Sequence, residues 1–194
     1  MVMTRPAHRN LAPWKRLLLL GGVLVLTLST ATAGSAPDFK LRDVRGQWFR
    51  LDKHIGNEVV YITFWATWCV PCRREMPHLQ KMYDELADQG LLVVGINTDP
   101  ASSQSKVKPW LSRYKLTFPT VFDPDNNVHD KYNPTRELPF GVLIDRQGNI
   151  HKTFAGYRPG EEKLLEEEIL KLLEPSSGGE PTAEAQNAAT ATVG

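Results

Sequence analysis

The two cysteines of this 194-residue chain stand three positions apart, in Trp68-Cys69-Val70-Pro71-Cys72, between an apolar run and an amphipathic stretch. The run, Val59 to Trp65, is almost continuously apolar and rich in β-branched and aromatic residues, as in a strand buried on both faces. From Cys72 onward Met76, Leu79, Met82, Tyr83 and Leu86 recur at three- and four-residue spacing, the stripe of a helix predicted to end near Gly90. Two thiols where a strand hands over to a helix can close a small disulfide ring without large backbone movement. The helix N-terminus also stabilises a thiolate. A disulfide between residues so close in sequence removes little unfolded-state entropy, so it is a poor staple, and redox exchange with other cysteines is the better explanation.

The rest of the chain continues the alternation. Ala36-Pro37-Asp38-Phe39 to Leu51 reads as two short strands about a turn at Arg45-Gly46, and Leu91 to Asn97 as a second buried strand. Strand, helix and strand with a connection of this length imply a right-handed parallel crossover. Val107, Trp110, Leu111 and Tyr114 give a weaker helical stripe, Phe118 to Phe122 a short strand, and Val128 to Tyr132 one helical turn. After Leu138-Pro139, the runs Phe140 to Ile144 and Asn149 to Phe154 flank a turn at Asp145-Arg146-Gln147-Gly148, the pattern of a hairpin. Glu161 to Leu173 is predicted as a closing helix with Leu164, Leu165, Ile169, Leu172 and Leu173 on one side. An α/β domain over residues 36–174 follows.

Both ends read differently. Arg5, Arg9, Lys15 and Arg16 precede the uncharged run Leu17 to Leu28, and Ala31-Thr32-Ala33 fits a small-x-small cleavage site. Residues 1–33 are therefore read as a signal peptide, with an uncleaved N-terminal membrane anchor as the alternative; either places the domain in the periplasm or otherwise outside the cytoplasm. Residues 175–194 are rich in Ser, Gly, Ala, Thr and Pro and poor in apolar bulk, and are read as a disordered tail. A net charge of +1 with both signs interspersed offers no clustered basic face for nucleic acid.

The run Phe64-Trp65-Ala66-Thr67-Trp68-Cys69-Val70-Pro71-Cys72-Arg73-Arg74-Glu75-Met76-Pro77 resembles the active-site segment of extracytoplasmic thioredoxin-like thiol-disulfide oxidoreductases of the TlpA and ResA type. Ala36-Pro37-Asp38-Phe39, Phe118-Pro119 and Leu138-Pro139 before Leu143-Ile144-Asp145 and Gly148 sit in that family's order, so the resemblance spans about residues 36 to 173. It implies a thioredoxin fold, a central mixed sheet flanked by helices, with an N-terminal β extension and an inserted helix. It also implies that Cys69 is the attacking thiolate and Cys72 the resolving thiol. Lowering a thiol pKa from about 8.5 to about 7 raises the thiolate fraction at neutral pH from a few per cent to about half. Because nucleophilicity falls with pKa, the net gain in attack rate is only about threefold, and the larger benefit is Cys69 as a leaving group.

The same resemblance makes Pro139 the cis-proline opposite the cysteines. Leu138 then offers backbone groups to a partner chain, with Trp68 and Pro71 as further contact surface. The family places a small polar residue after that proline, whereas Phe140-Gly141 stand here, which bears on partner specificity. Glu75, one turn after Cys72, matches a carboxylate of the ResA-like branch and is a candidate acceptor for the Cys72 proton; a favourable first-turn charge is the simpler alternative. Pro77 removes one helical hydrogen bond and is expected to kink its helix.

The resemblance implies protein disulfide substrates, such as apocytochrome c or copper-site assembly proteins, a membrane electron donor of thiol type, no cofactor and a monomer. Two other functions compete. A peroxiredoxin-like thiol peroxidase also opens with Ala-Pro-Asp-Phe, but sets its reactive cysteine in a Thr/Ser-x-x-Cys context. A metallochaperone would hold Cu(I) between two soft thiolates, without the methionine or histidine clusters that would favour it. His54, His78, His129 and His151 lack metal-ligand spacing, so no metal site is expected.

Overall fold

A computed structural model describes residues 34–174; the signal or anchor reading of 1–33 and the disordered-tail reading of 175–194 lie outside them. The strands are β1 (Lys40–Asp43), β2 (Trp48–Arg50), β3 (Val59–Trp65), β4 (Leu91–Asn97), β5 (Thr120–Phe122), β6 (Phe140–Ile144) and β7 (Ile150–Ala155). The helices are α1 (Val70–Leu86), α2 (Val107–Arg113), α3 (His129–Tyr132) and α4 (Glu161–Leu173). One seven-stranded sheet runs in the order β2-β1-β5-β4-β3-β6-β7. β3, β4 and β5 are parallel to one another, while β6 runs antiparallel to β3, β7 to β6, and β1 to both β2 and β5. This mixed sheet flanked by helices, with the β1–β2 hairpin as N-terminal extension and α2 inserted before β5, is the expected thioredoxin architecture.

The apolar run at β3 is continuous because the strand lies at the centre of the sheet and serves two cores. Successive side chains of a strand alternate between faces. Val59, Tyr61 and Trp65 enter one cluster, with α1 and α4, while Val60, Ile62 and Phe64 enter the other, with Phe39, Val121 and Tyr132. β4 divides likewise, Leu91 and Val93 against Leu92, Val94 and Ile96. Tyr61 and Thr63 therefore share the face that α1 covers, a placement with chemical consequences.

Three elements depart from expectation. α1 begins at Val70, two residues before the apolar stripe, because Cys69 is its N-cap and Pro71 sits in the first turn, where a missing N–H costs nothing. It continues through Pro77 as one helix, and after a 3-10 turn at Ala87–Gln89 the chain reverses at Gly90, whose φ of 100° favours glycine. β5 starts at Thr120 rather than Phe118. Leu164 is 54% exposed, so α4 packs through Leu165 and Ile169 with Leu172 and Leu173 half-buried, and Leu164 does not belong to its inner face. The 3-10 turns at Leu51–Lys53 and Ala101–Lys106 have no periodic signal in the sequence.

Candidate active site

Cys69 and Cys72 are joined as a disulfide, and the Cys72 backbone N–H donates to the Cys69 sulfur at 3.2 Å. Cys69 occupies the N-cap of α1, where the first backbone N–H groups have no helical acceptor, so the sulfur of this residue is the one the helix end addresses. Both cysteines are buried, Cys69 at 3% exposed and Cys72 at 0%. The exposed surface beside it comes from its neighbours: Trp68 is 67% and Val70 46% exposed, while Pro71 is half-buried. Trp65 is fully buried and packs against Trp110 with ring centroids 4.5 Å apart.

The loop from β3 to Cys69 is pinned by a residue the sequence reading did not single out. Asp99, 1% exposed, accepts from the Thr67 backbone N–H (2.8 Å), the Thr67 hydroxyl (3.0 Å) and the Asn97 side-chain amide (2.8 Å). The Thr98 N–H donates to the Trp65 carbonyl at 2.9 Å, closing the same corner. These bonds fix the backbone two residues before the disulfide.

The Leu138–Pro139 peptide is cis. Phe140 pairs with Phe64 across β6 and β3, which sets Pro139 at the same end of the sheet as the loop carrying the cysteines. Pro139 is buried, Leu138 half-buried, and the Pro139 carbonyl accepts from Gly156 at 2.8 Å. Gly141 has a steric reason: a β-carbon there would overlap the Tyr61 hydroxyl.

That hydroxyl leads to Glu75. The Glu75 carboxyl is buried on α1 over the two β3 side chains that face it, accepting from Tyr61 Oη at 3.3 Å and Thr63 Oγ1 at 3.2 Å. No cation neutralises it among these contacts. Burial pushes its pKa up to about 7, against the pull of the Thr63 and Tyr61 hydrogen bonds and with the help of the negative charge of Glu161. The carboxyl is thus divided between its two protonation states near neutral pH, the condition under which a group both takes and returns a proton efficiently. It lies one helical turn from Cys72, on a neighbouring position of the α1 surface. Tyr61, Thr63 and Asp99 carry no local motif; only the register of β3 and the return of β4 bring them to the site.

The sequence matches the AhpC/TSA family over residues 33–162. A protein of Halalkalibacterium halodurans named thiol-disulfide oxidoreductase ResA is 36% identical over 150 residues, covering 77% of this chain and 81% of the relative. The Bacillus subtilis protein of the same name is 33% identical over 128 residues, covering 66% and 69%. Among solved structures, a Chlorobium tepidum protein assigned as thiol:disulfide interchange protein DsbE matches with a TM-score of 0.67 at 31% identity, covering 73% of this chain and 97% of that one.

Proposed function

We propose, on the premise that this chain belongs to the AhpC/TSA family and is a thiol-disulfide oxidoreductase, that it works outside the cytoplasm as a reductant of protein disulfides. The observation that carries this reading is the Cys69–Cys72 pair at the N-terminus of α1, with a backbone donor on the Cys69 sulfur and the exposed Trp68 beside it. The composition of residues 1–33 supports export.

In this reading the reduced protein attacks with the Cys69 thiolate. One sulfur of the partner's disulfide becomes bonded to Cys69, and the other leaves as a thiolate. Cys72 then gives its proton to Glu75 and attacks Cys69; the Cys69–partner bond breaks, the second partner sulfur leaves as a thiolate, and the Cys69–Cys72 disulfide forms. Two electrons have passed to the partner, and a thiol donor at the membrane restores the dithiol. Trp68, Pro71, Leu138 and Pro139 receive the partner's chain. Apocytochrome c or a copper-site assembly protein is the substrate class proposed.

Cys72→Ser keeps the nucleophile and removes resolution, so purification from cells should recover a covalent complex, released by dithiothreitol, that contains the partner. Complexes formed by Cys69→Ser instead would reverse the order of attack. The reduction potential against glutathione decides direction, with about 30 mV worth 1.4 kcal/mol for a two-electron couple; a potential as high as that of strong disulfide oxidants would overturn the reductant role.

A further inference from the structure

The interior behind Glu75 is not sealed. A crevice of about 20 Å³ lies against its carboxyl on the side toward α4, bounded by Tyr61, His78, Phe154, Tyr157 and the first-turn residues Glu161 and Glu162. That volume is about the size of one water molecule, which needs roughly 10–15 Å³ and several polar partners, but the walls are mostly apolar, with Leu79, Met82, Phe154 and Leu165 among them, so they offer a water little to bind. Tyr157, half-buried, is one of the residues that line it. Its hydroxyl donates to Glu162 Oε2 at 2.9 Å, an oxygen that also accepts from the Gly160 N–H at 2.8 Å. Its ring lies 6.1 Å from the His78 imidazole. The side chain is therefore held from α4 on one side and α1 on the other, in the wall of the crevice that the buried Glu75 also lines.

We propose that Tyr157 is a gate, a positioning residue that covers the crevice through which water would otherwise reach Glu75 and so governs how readily Glu75 takes the proton of Cys72 and surrenders it. The inference rests on the reading of Glu75 as that proton's acceptor. With the ring in place Glu75 stays dry, and burial is the largest cause of its raised proton affinity. With the ring removed, water enters and the charged carboxylate gains solvation, which lowers that affinity. The groups facing Glu75 are Tyr61 and Thr63 from β3, Cys72 and His78 from α1, Tyr157 from the loop after β7, and Glu161 and Glu162 from α4. Of the charged ones only Glu162 loses a hydrogen bond when the Tyr157 hydroxyl goes, a loss that Tyr157→Phe and Tyr157→Ala share, so the difference between those two variants reports the ring alone.

The test follows the Glu75 carboxyl directly, through the infrared band of its protonated form in the oxidised protein, identified by its absence in Glu75→Gln. Tyr157→Ala should move the midpoint of that band down by about one pH unit or more, about tenfold in the carboxylate-to-carboxyl ratio, and should shift the acid limb of mixed-disulfide resolution with it. Tyr157→Phe keeps the cover and should leave the midpoint near that of the unaltered protein. A midpoint unmoved in a folded Tyr157→Ala protein overturns the gate. Tyr157→Leu, shorter than the ring but apolar, carries the same expectation and the same failure should the alanine variant not fold. An unchanged resolution profile in Glu75→Gln would instead remove the proton-acceptor role itself, whatever the infrared midpoints show.

Discussion

Gly141 explains itself through its neighbour. Strand β6 passes Tyr61 so closely that a methyl group at 141 would overlap the phenolic oxygen, and that oxygen is one of the two donors to Glu75. The small residue after Phe140 is thus part of the arrangement around the buried acid. Gly141→Ala should destabilise the protein by about 1–3 kcal/mol, the usual cost of overpacking, measured by urea unfolding; a neutral result would mean that Tyr61 moves aside freely. Tyr61→Phe makes a finer change. It removes a donor that favours the Glu75 carboxylate, so the midpoint of the Glu75 infrared band should rise, whereas a fall would show that the hydroxyl favours the neutral acid. Asp99 acts on backbone instead. Asp99→Ala leaves the Thr67 N–H and the Asn97 amide without their acceptor, at a cost of about 1–3 kcal/mol for the buried groups left unpaired. Looser anchoring before Cys69 should also speed proteolysis near Trp68.

Elements differ in how far their sequence betrays them. β3 and β4 were legible because a strand buried on both faces is apolar at nearly every position, and α1 because its inner face repeats at Met76, Leu79, Met82 and Leu86. α4 was legible in extent but not in facing. Leu164 fits a helical stripe as well as Leu165 does, and only the tertiary packing of α4 against α1 and β3 buries Leu165 and leaves Leu164 in solvent. The contrast is measurable: Leu79→Ala, at a fully buried position, should cost about 2–5 kcal/mol, whereas Leu164→Ala should stay within about 0.5 kcal/mol of zero. Equal losses would show that Leu164 is covered in solution. The site divides in the same manner. Cys69, Cys72 and Pro139 stand in short motifs that can be read along the chain. Tyr61, Thr63, Asp99 and Tyr157 reach the site by strand register and by chain returns of a dozen residues or more, and no window of sequence contains both partners.

At the scale of the whole molecule, one buried carboxyl should leave a visible mark on the pH dependence of stability. Glu75 has an ordinary value of 4.5 when the chain unfolds and is pushed up to about 7 in the native disulfide form, chiefly by burial. Between these limits the native state binds the proton and the unfolded state does not, so stability falls as pH rises. The contribution is fully present below about pH 4.5, is lost through about pH 7, and amounts to about 3 kcal/mol. Other groups act in different windows or against it. Glu168, held at about 2 by His151, Lys171 and Lys152, contributes stability that is lost only as pH falls below the ordinary carboxylate range. His129, lowered by burial, opposes Glu75 in its own window, because its native form sheds the proton first and stability rises with pH up to about 6.5. A single unfolding curve therefore mixes the two, and the difference between two proteins separates them. Glu75→Gln fixes the side chain in a neutral form and leaves His129 and Glu168 in place. Subtracting its unfolding free energy from that of the unaltered oxidised protein, by urea titration from pH 4 to pH 8, should give a difference that is flat near pH 4 and grows in favour of the glutamine variant by about 3 kcal/mol toward pH 8. Parallel curves across that range would mean that Glu75 is solvated in the folded protein, and the buried carboxyl would then have no special proton affinity to offer Cys72.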